Sequence, residues 1–445
     1  MTPPVSPAAL ALLRETVTAW WQEHVGTVTP EAAEQFALAL GREASQAMLA
    51  AGLTTSSARA SYRGTQVPCP CCGEAARFVS YRERWLRTLC GDQRVSRAYY
   101  HCCRCGVGVA PWDREAGLDA RVFTPAVKAL VAECCARLTH REVEALLQRT
   151  WGLPVEESSQ QALVGEIGAR LRAEEAVQIT ACFEHREELA PEEAVPTERL
   201  YIGIDAAKAH TEGAWHDIKC AVFSHALPPE PPEPPEPPER TWDRLGRKHY
   251  LARQEEAAAF GQRVYVEALR AGVEAASEVV VLGDGADWIW NLAAEHFHGA
   301  TEIVDYYHAA EHLWELGRTL YGEGNAQGKR WAREQCQKLK EQGPGPLLRA
   351  LARRRPKEVK QQAAVRLARG YFGAHRQRMD YPRFRQRGLL IGSGPVEAAC
   401  KVVVGGRLKG AGMRWSREGA DAMLAVRTAV LNGQQQRIAQ HARAA

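Results

Sequence analysis

The chain has 445 residues, 45% of them hydrophobic, which is more than one core uses and enough to bury two or three domains. No run approaches the roughly 18 apolar residues of a membrane span, and the start MTPPVSPAALALLRETV lacks the basic stretch of a secretory signal, so a cytoplasmic protein is expected. The net charge of +4 hides an asymmetry: residues 301–445 hold 27 Lys and Arg against 12 Asp and Glu, a net +15, leaving −11 for the first 300 and suiting the last third to a polyanion.

Apolar residues at helical spacing predict helices over residues 1 to about 60, in ALALLRETVTAWW and EQFALALGREASQAMLAAG. Residues 67–111 become rich in Cys, Arg and aromatics, with strand-like stretches such as RFVSYRERWLRTL. Two CxxCG knuckles lie there, Cys69 to Cys72 and Cys102 to Cys105, separated by 29 residues. A two-residue spacer lets both thiolates face one ion, the following glycine permits the tight turn beneath it, and four sulfurs suit a tetrahedral structural Zn²⁺ site. Cys71 and Cys103, inside the knuckles, leave the choice of ligands open, and the other cysteines read as small buried residues. Arg82, Arg84, Arg87, Arg94 and Arg97, with Trp85, Tyr99 and Tyr100, read as contacts to DNA phosphates and bases or, equally, as the exposed basic face of a stabilising ribbon.

Three short helices follow in TPAVKALVAECCARL, THREVEALLQRTWG and SSQQALVGEIGARL. Thr139 is placed to cap the second and Ser158 or Ser159 the third. The polar start of the third helix suits a helix-turn-helix whose last member enters a major groove, although trihelical packing alone gives the same pattern.

From residue 199 strands and helices alternate, which predicts a mixed α/β sheet. LYIGIDAA, DIKCAVFS, KHYLA, SEVVVLGD and ATEIVDYY read as strands, while 254–272, WIWNLAAEHF and AAEHLWELGRTLYG read as helices. The Pro-Glu repeat of residues 228–240 is an extended spacer that cannot enter a sheet interior, so it is expected at a hairpin tip. Residues 313–388 lack strand signals and read as an all-helical insertion.

Three carboxylates stand out in this region. Asp205 closes LYIGID, Asp284 closes VVVLGD between two glycines, and Glu397 sits in GSGPVEAACK, where Gly394 and Pro395 suit a helix start. Each alone has an ordinary explanation: a strand-ending turn for either Asp, a helix-dipole acid paired with Lys401 for Glu397. Together they could hold two hard cations flanking one phosphate, as phosphoryl chemistry requires. Asp287 is a weaker substitute for Asp284. Trp288 and Trp290 read as core residues rather than stacking platforms.

The segments DGADWIWNLAAEHFHGATEIVDYYHAAEHL and IGSGPVEAACKVVVGGRLKGAGMRWS resemble the bacterial Kra-type insertion-sequence transposases of the DDE class, over nearly the whole chain. The resemblance implies an RNase H-like mixed-sheet core of the α/β class with a helical insertion before the third acid. It implies a catalytic triad of Asp205, Asp284 and Glu397 that binds two Mg²⁺ or Mn²⁺ ions, and accessory residues Asp305 and His308 in an Asp-x-x-His element. Arg407, Lys409, Arg414 and Trp415 read as residues that grip DNA, although an ordinary exposed turn explains GGRLKGAGMRWS nearly as well, and Cys69, Cys72, Cys102 and Cys105 are expected to hold Zn²⁺.

The expected organisation is a helical region over 1–64, a zinc ribbon over 65–112 and a helix-turn-helix-like region over 113–195. The core follows over 196–312 and, after the insertion over 313–388, is completed with basic helices over 389–445. The expected activity is cleavage and strand transfer at the terminal inverted repeats of an insertion sequence, by a dimer or larger assembly on double-stranded DNA at the nucleoid. Two alternatives stand beside it: a transposase-derived regulator that binds DNA without cutting, and a zinc metallopeptidase using His308, Glu311 and His312 as an HxxEH motif with Glu311 as base.

Overall fold

The computed structural model describes residues 7–23, 29–58, 61–189, 199–228, 242–392 and 394–443. The chain divides into two compact units, one of residues 1–127, 147–154 and 443–445, the other of 128–146 and 155–442. The division runs through the stretch expected as a helix-turn-helix-like region. Among the described residues no helix is long and apolar enough to cross a membrane.

The first unit contains helices α1 (Pro7–Glu23) and α2 (Pro30–Ala58), then a four-stranded antiparallel sheet of β1 (Gln66–Pro68), β2 (Ala75–Thr88), β3 (Gly91–Cys102) and β4 (Gly108–Val109), followed by the short α3 (Pro111–Glu115). The hairpin of β2 and β3 dominates it, and Ala76, Ala98, Tyr100 and Cys102 form its small core. Helices α4 (Pro125–Cys135) and α5 (His140–Trp151) are each cut by the unit boundary. At the start of α5, Thr139 Oγ1 accepts from the Glu142 N–H while the Glu142 carboxylate accepts from the Thr139 N–H, a reciprocal capping box.

Helix α6 (Glu157–Phe183) runs 27 residues, longer than the short third helix expected from SSQQALVGEIGARL. Its N-cap is Glu156, so Ser158 and Ser159 lie inside the helix and cap nothing. Gln160 is fully buried, bonded to the Val155 carbonyl and to His140 Nδ1. It is therefore unavailable to a DNA base.

The second unit is built on a five-stranded sheet of β5 (Leu200–Thr211), β6 (Ala214–His225), β7 (His249–Arg253), β8 (Val279–Gly283) and β9 (Thr301–Val304), in the order β7-β6-β5-β8-β9. The two hairpin-connected pairs are antiparallel, and β8 and β9 run parallel to β5. Helix α7 (Ala257–Arg270) precedes β8, and α8 (Asp287–His296) makes the right-sized crossover to β9. The Pro-Glu repeat, apart from residue 228, lies outside the described residues.

After β9 come α9 (Tyr306–Tyr321), α10 (Ala326–Gln342), α11 (Pro344–Arg353), α12 (Val359–Ala374), a single 3₁₀ turn at Arg376–Met379 and α13 (Tyr381–Gln386). Residues 313–388 contain no strand, as expected, but the helices begin at Tyr306, within the stretch ATEIVDYY read as a strand. Helix α14 (Gly394–Cys400) continues through a π-helical turn, Lys401–Gly405, into α15 (Gly406–Leu408). Helix α16 (Arg417–Leu431) is buried on every side from Ala420 to Val430 and packs on α6 and β7. The last helix is α17 (Gln435–His441).

Candidate functional site

Strand periodicity assigns the faces of β5. Leu200, Ile202 and Ile204 point into the main core with Val281 and Val304. Gly203 points the other way, toward α14: a Cβ there would stand 2.9 Å from Val396 Cβ. Asp205, two residues on, shares that face, and its Oδ2 meets the Cys400 thiol at the end of α14 at 3.7 Å.

The pairing of β5 with β8 stops at Gly203 opposite Leu282. Continuing that register by two residues sets Asp205 beside Asp284, in the turn after β8. Asp205 thus does not end its strand as LYIGID suggests. It lies in the middle of β5, which runs on to Thr211 as the partner of β6, at the point where the parallel neighbour falls away.

Burial pushes the Asp205 carboxyl above the usual carboxylate range, the Asp284 charge adds to the rise, and the N–H of Ala206, His308 and Cys400 oppose it. Among the described residues neither Asp205 nor Asp284 forms an ion pair with a Lys or Arg. Two adjacent acids are left without a protein cation.

The Asp284 turn is fixed from two sides. Oδ1 accepts from the Ala286 N–H at 2.9 Å, and the backbone carbonyl accepts from the Tyr371 hydroxyl at 3.1 Å. Gly285 has φ of +105°, and a Cβ there would lie 2.9 Å from the Tyr371 ring, so this glycine is required twice over. Asp287 lies in the first turn of α8 and is exposed.

Asp305 is buried at 1% exposure and caps α9, accepting from the N–H groups of Tyr307 and His308. Its own N–H donates to the Gly283 carbonyl at 2.8 Å, which ties the start of α9 to the end of β8. His308, in the first turn of α9, is near enough to Asp205 and to Glu397 for its charge to favour both carboxylates.

Glu397 lies one helical turn before Cys400 and is exposed, its Oε1 accepting from Lys401 Nζ at 2.6 Å. That bond, and then the Lys401 charge, hold its carboxyl below the ordinary glutamate range. Among the described residues Asp205, Asp284 and Glu397 are not gathered into a group placed to hold a metal ion, whereas the four cysteines are. The structure brings the first two acids together and leaves the third paired with its neighbour on the same helix.

The HxxEH reading finds little to support it. His308 Nδ1 is 3.7 Å from Glu311, and the His312 ring lies 4.1 Å from the Tyr371 ring. No third ligand joins them among the described residues. Desolvation lowers the His312 pKa.

The basic segment after α14 needs a correction. Arg407 is 2% exposed: its Nε donates to the Cys135 carbonyl at 2.6 Å and its guanidinium lies 4.9 Å from the Trp415 ring. It is a packing residue, closed to a phosphate. Trp415 is half-buried with Arg407 over one face of its ring, and its carbonyl accepts from the Glu212 N–H at 2.9 Å. Lys409 and Arg414 are exposed.

In the first unit, the sulfurs of Cys69, Cys72, Cys102 and Cys105 lie within 4.8 Å of one another. Each knuckle closes by the same turn, the N–H of Gly73 to the Cys69 carbonyl and that of Gly106 to the Cys102 carbonyl, both 2.9 Å. Both glycines have φ near +75° (76° and 73°). Backbone N–H groups aimed at the first sulfur of each knuckle lower the thiol pKa of Cys69, and that of Cys102 to about 7, while burial and the neighbouring sulfurs raise that of Cys72 and push that of Cys105 up to about 12. This all-sulfur set could hold a metal ion such as Zn²⁺. Cys71 and Cys103 are exposed and outside it.

Of the hairpin residues read as DNA contacts, Arg84 and Arg97 both bind Asp113, at 2.8 and 2.9 Å, and Tyr100 is core. Arg87 pairs with Asp92 and Arg94 with Glu83. Arg82 stacks on Tyr99 with its guanidinium 3.6 Å from the ring centre, while Trp85 is 58% exposed.

Sequence reasoning missed Cys400 and Tyr371. Cys400 was readable in principle, three residues after Glu397 and hence on the same helix face. Tyr371 carries no local signal, since it reaches Asp284 from 87 residues away. Comparison with protein-family models and with curated proteins finds no match for this chain.

Proposed function

We propose that this protein is a DNA transposase of the DDE class, with Asp205, Asp284 and Glu397 as its acids. The observation that carries the reading is the uncompensated pair: Asp205 and Asp284 emerge side by side on neighbouring parallel strands with no Lys or Arg partner among the described residues. Two like charges so placed repel, and a divalent cation is the natural counter-charge. The order of the mixed sheet, with the strand of the first acid central and that of the second beside it, followed by a helical block before the third, supports an RNase H-like core. So does the resemblance of the two motif segments to Kra-type transposases.

The donor set is all oxygen, which fits Mg²⁺ or Mn²⁺. Asp205 and Asp284 would hold the ions, and Glu397 would join them on leaving Lys401. Bound there, the ions would supply Lewis-acid activation of a phosphodiester and of its attacking water or 3′-hydroxyl. The chain's own part is positional. Tyr371 and Gly285 hold the Asp284 turn, Asp305 fixes the first turn of α9, and the charge of His308 in that turn favours the carboxylates of the first and third acids. The four-cysteine ribbon and the helices of the first unit would serve recognition of terminal inverted repeats as double-stranded DNA. Two element ends call for at least two copies of the chain.

Strand cleavage of a duplex carrying an element end, measured with Mg²⁺ or Mn²⁺, tests this. Asp205→Asn, Asp284→Asn and Glu397→Gln should each lower the rate by at least about a hundredfold with DNA binding retained. Sequence-specific binding by the wild type with no cleavage under either metal would instead mean a non-cutting regulator.

A further inference from the structure

The basic excess of the chain is concentrated in the helical block. Residues 326–387 hold 18 Lys and Arg against 4 Asp and Glu, a net +14. Among the described residues only Arg378 and Arg387 pair with acids there, and those acids, Glu302 and Glu278, lie outside the block. So much uncompensated positive charge repels itself and lowers stability unless a polyanion covers it.

Helix α12 lies in this block. Its inner side carries Val365, Ala368 and Phe372 into the core, and Tyr371 reaches the Asp284 carbonyl. Its outer face carries Arg366, Arg369, Gly370 and Gly373, at spacings of three, four and seven that put them on one stripe. Arg366, Arg369 and Gly370 are exposed, and neither arginine has an ion-pair partner among the described residues. A Cβ on Gly370 or Gly373 would meet nothing within 4 Å, and neither glycine has a positive φ. Glycine is a poorer helix former than alanine, and nothing inside the molecule requires either one.

We propose that this face of α12 is a docking surface for the sugar-phosphate backbone of duplex DNA, with Arg366 and Arg369 on phosphates and the glycines permitting close approach. The proposal rests on the DNA-processing reading for its substrate and adds a surface that binds it. Small residues flanked by guanidinium groups fit a phosphate backbone, and the charge of the block is complementary to it. An acidic protein would leave the bare helix surface unexplained.

The test is binding of a fluorescein-labelled duplex by the full chain, read by anisotropy across about 50 to 200 mM salt. Arg366→Gln with Arg369→Gln should flatten the slope of log K against log salt by about 1.8, and at the low-salt end weaken binding by about tenfold more than a charge-matched control, Lys338→Gln with Arg349→Gln. Gly370→Leu should weaken binding to a similar extent while leaving the melting temperature unchanged or higher, because leucine is the better helix former. A merely structural glycine would not give that pair of results. Equal loss in the two double variants, wild-type binding by Gly370→Leu, or binding confined to RNA would overturn the proposal. Cleavage separates the two readings: acid variants that abolish cutting while the α12 variants bind normally defeat only the docking surface, and α12-dependent binding without any cutting defeats only the transposase.

Discussion

The Cys400 thiol donates toward Oδ2 of Asp205 across 3.7 Å, joining the helix of Glu397 to the strand of the first acid. This contact lowers the Asp205 pKa against the rise that burial imposes. Cys400→Val removes the donor and conserves an apolar site, so the fold should change by less than about 1.5 kcal/mol. The acid limb of the cleavage pH profile should move to higher pH. An unmoved limb would mean that Cys400 does not tune the acid.

Asp205 itself should weaken the fold at neutral pH. Its folded pKa is raised, so the folded state holds the proton more tightly than the unfolded chain does. Its contribution is harmless below the ordinary Asp range and unfavourable once pH rises through the raised value. In chelator, Asp205→Asn should therefore melt higher than wild type at pH 7, and the gap should close as pH falls toward the ordinary carboxylate range. Thermal unfolding at several pH values reads this directly.

The Lys401–Glu397 pair is exposed, with side chains 74% and 57% accessible, so breaking it should cost less than about 0.5 kcal/mol. Its effect on function should be larger. Lys401→Ala frees Glu397, and cleavage should need less divalent metal for half-maximal rate, as a metal titration would show.

The turn at Asp284 should be sensitive without carrying charge chemistry of its own. Tyr371→Phe loses one hydrogen bond to the Asp284 carbonyl, about 0.5–1.5 kcal/mol. Gly285→Ala adds both a strained φ and a clash with the Tyr371 ring, about 1–3 kcal/mol. Urea unfolding should rank them in that order.

Metal analysis should find about one Zn²⁺ per chain, lost in Cys102→Ser and kept in Cys71→Ser and Cys103→Ser, because only the first belongs to the four-sulfur group. Retention of metal in Cys102→Ser would reassign the ligands.

The sequence by itself determined what depends on neighbours along the chain. The knuckle spacing and its glycines dictate a four-sulfur turn pair, the apolar runs dictate five strands, and the strandless stretch after His312 dictates a helical block. Each is a local rule of periodicity or turn chemistry. Tertiary structure decided the rest. Asp205 looked like a strand end because its apolar run stops there, yet β5 continues as the partner of β6 and only the neighbour β8 ends. Arg407 looked like a DNA contact because a Gly-rich basic turn reads as exposed, yet Cys135 and Trp415 enclose it. Gln160 and Tyr371 likewise take their roles from partners that no local pattern names. Burial and pairing are set by what folds back onto a residue from far away, and a single sequence does not encode that contact at the residue itself.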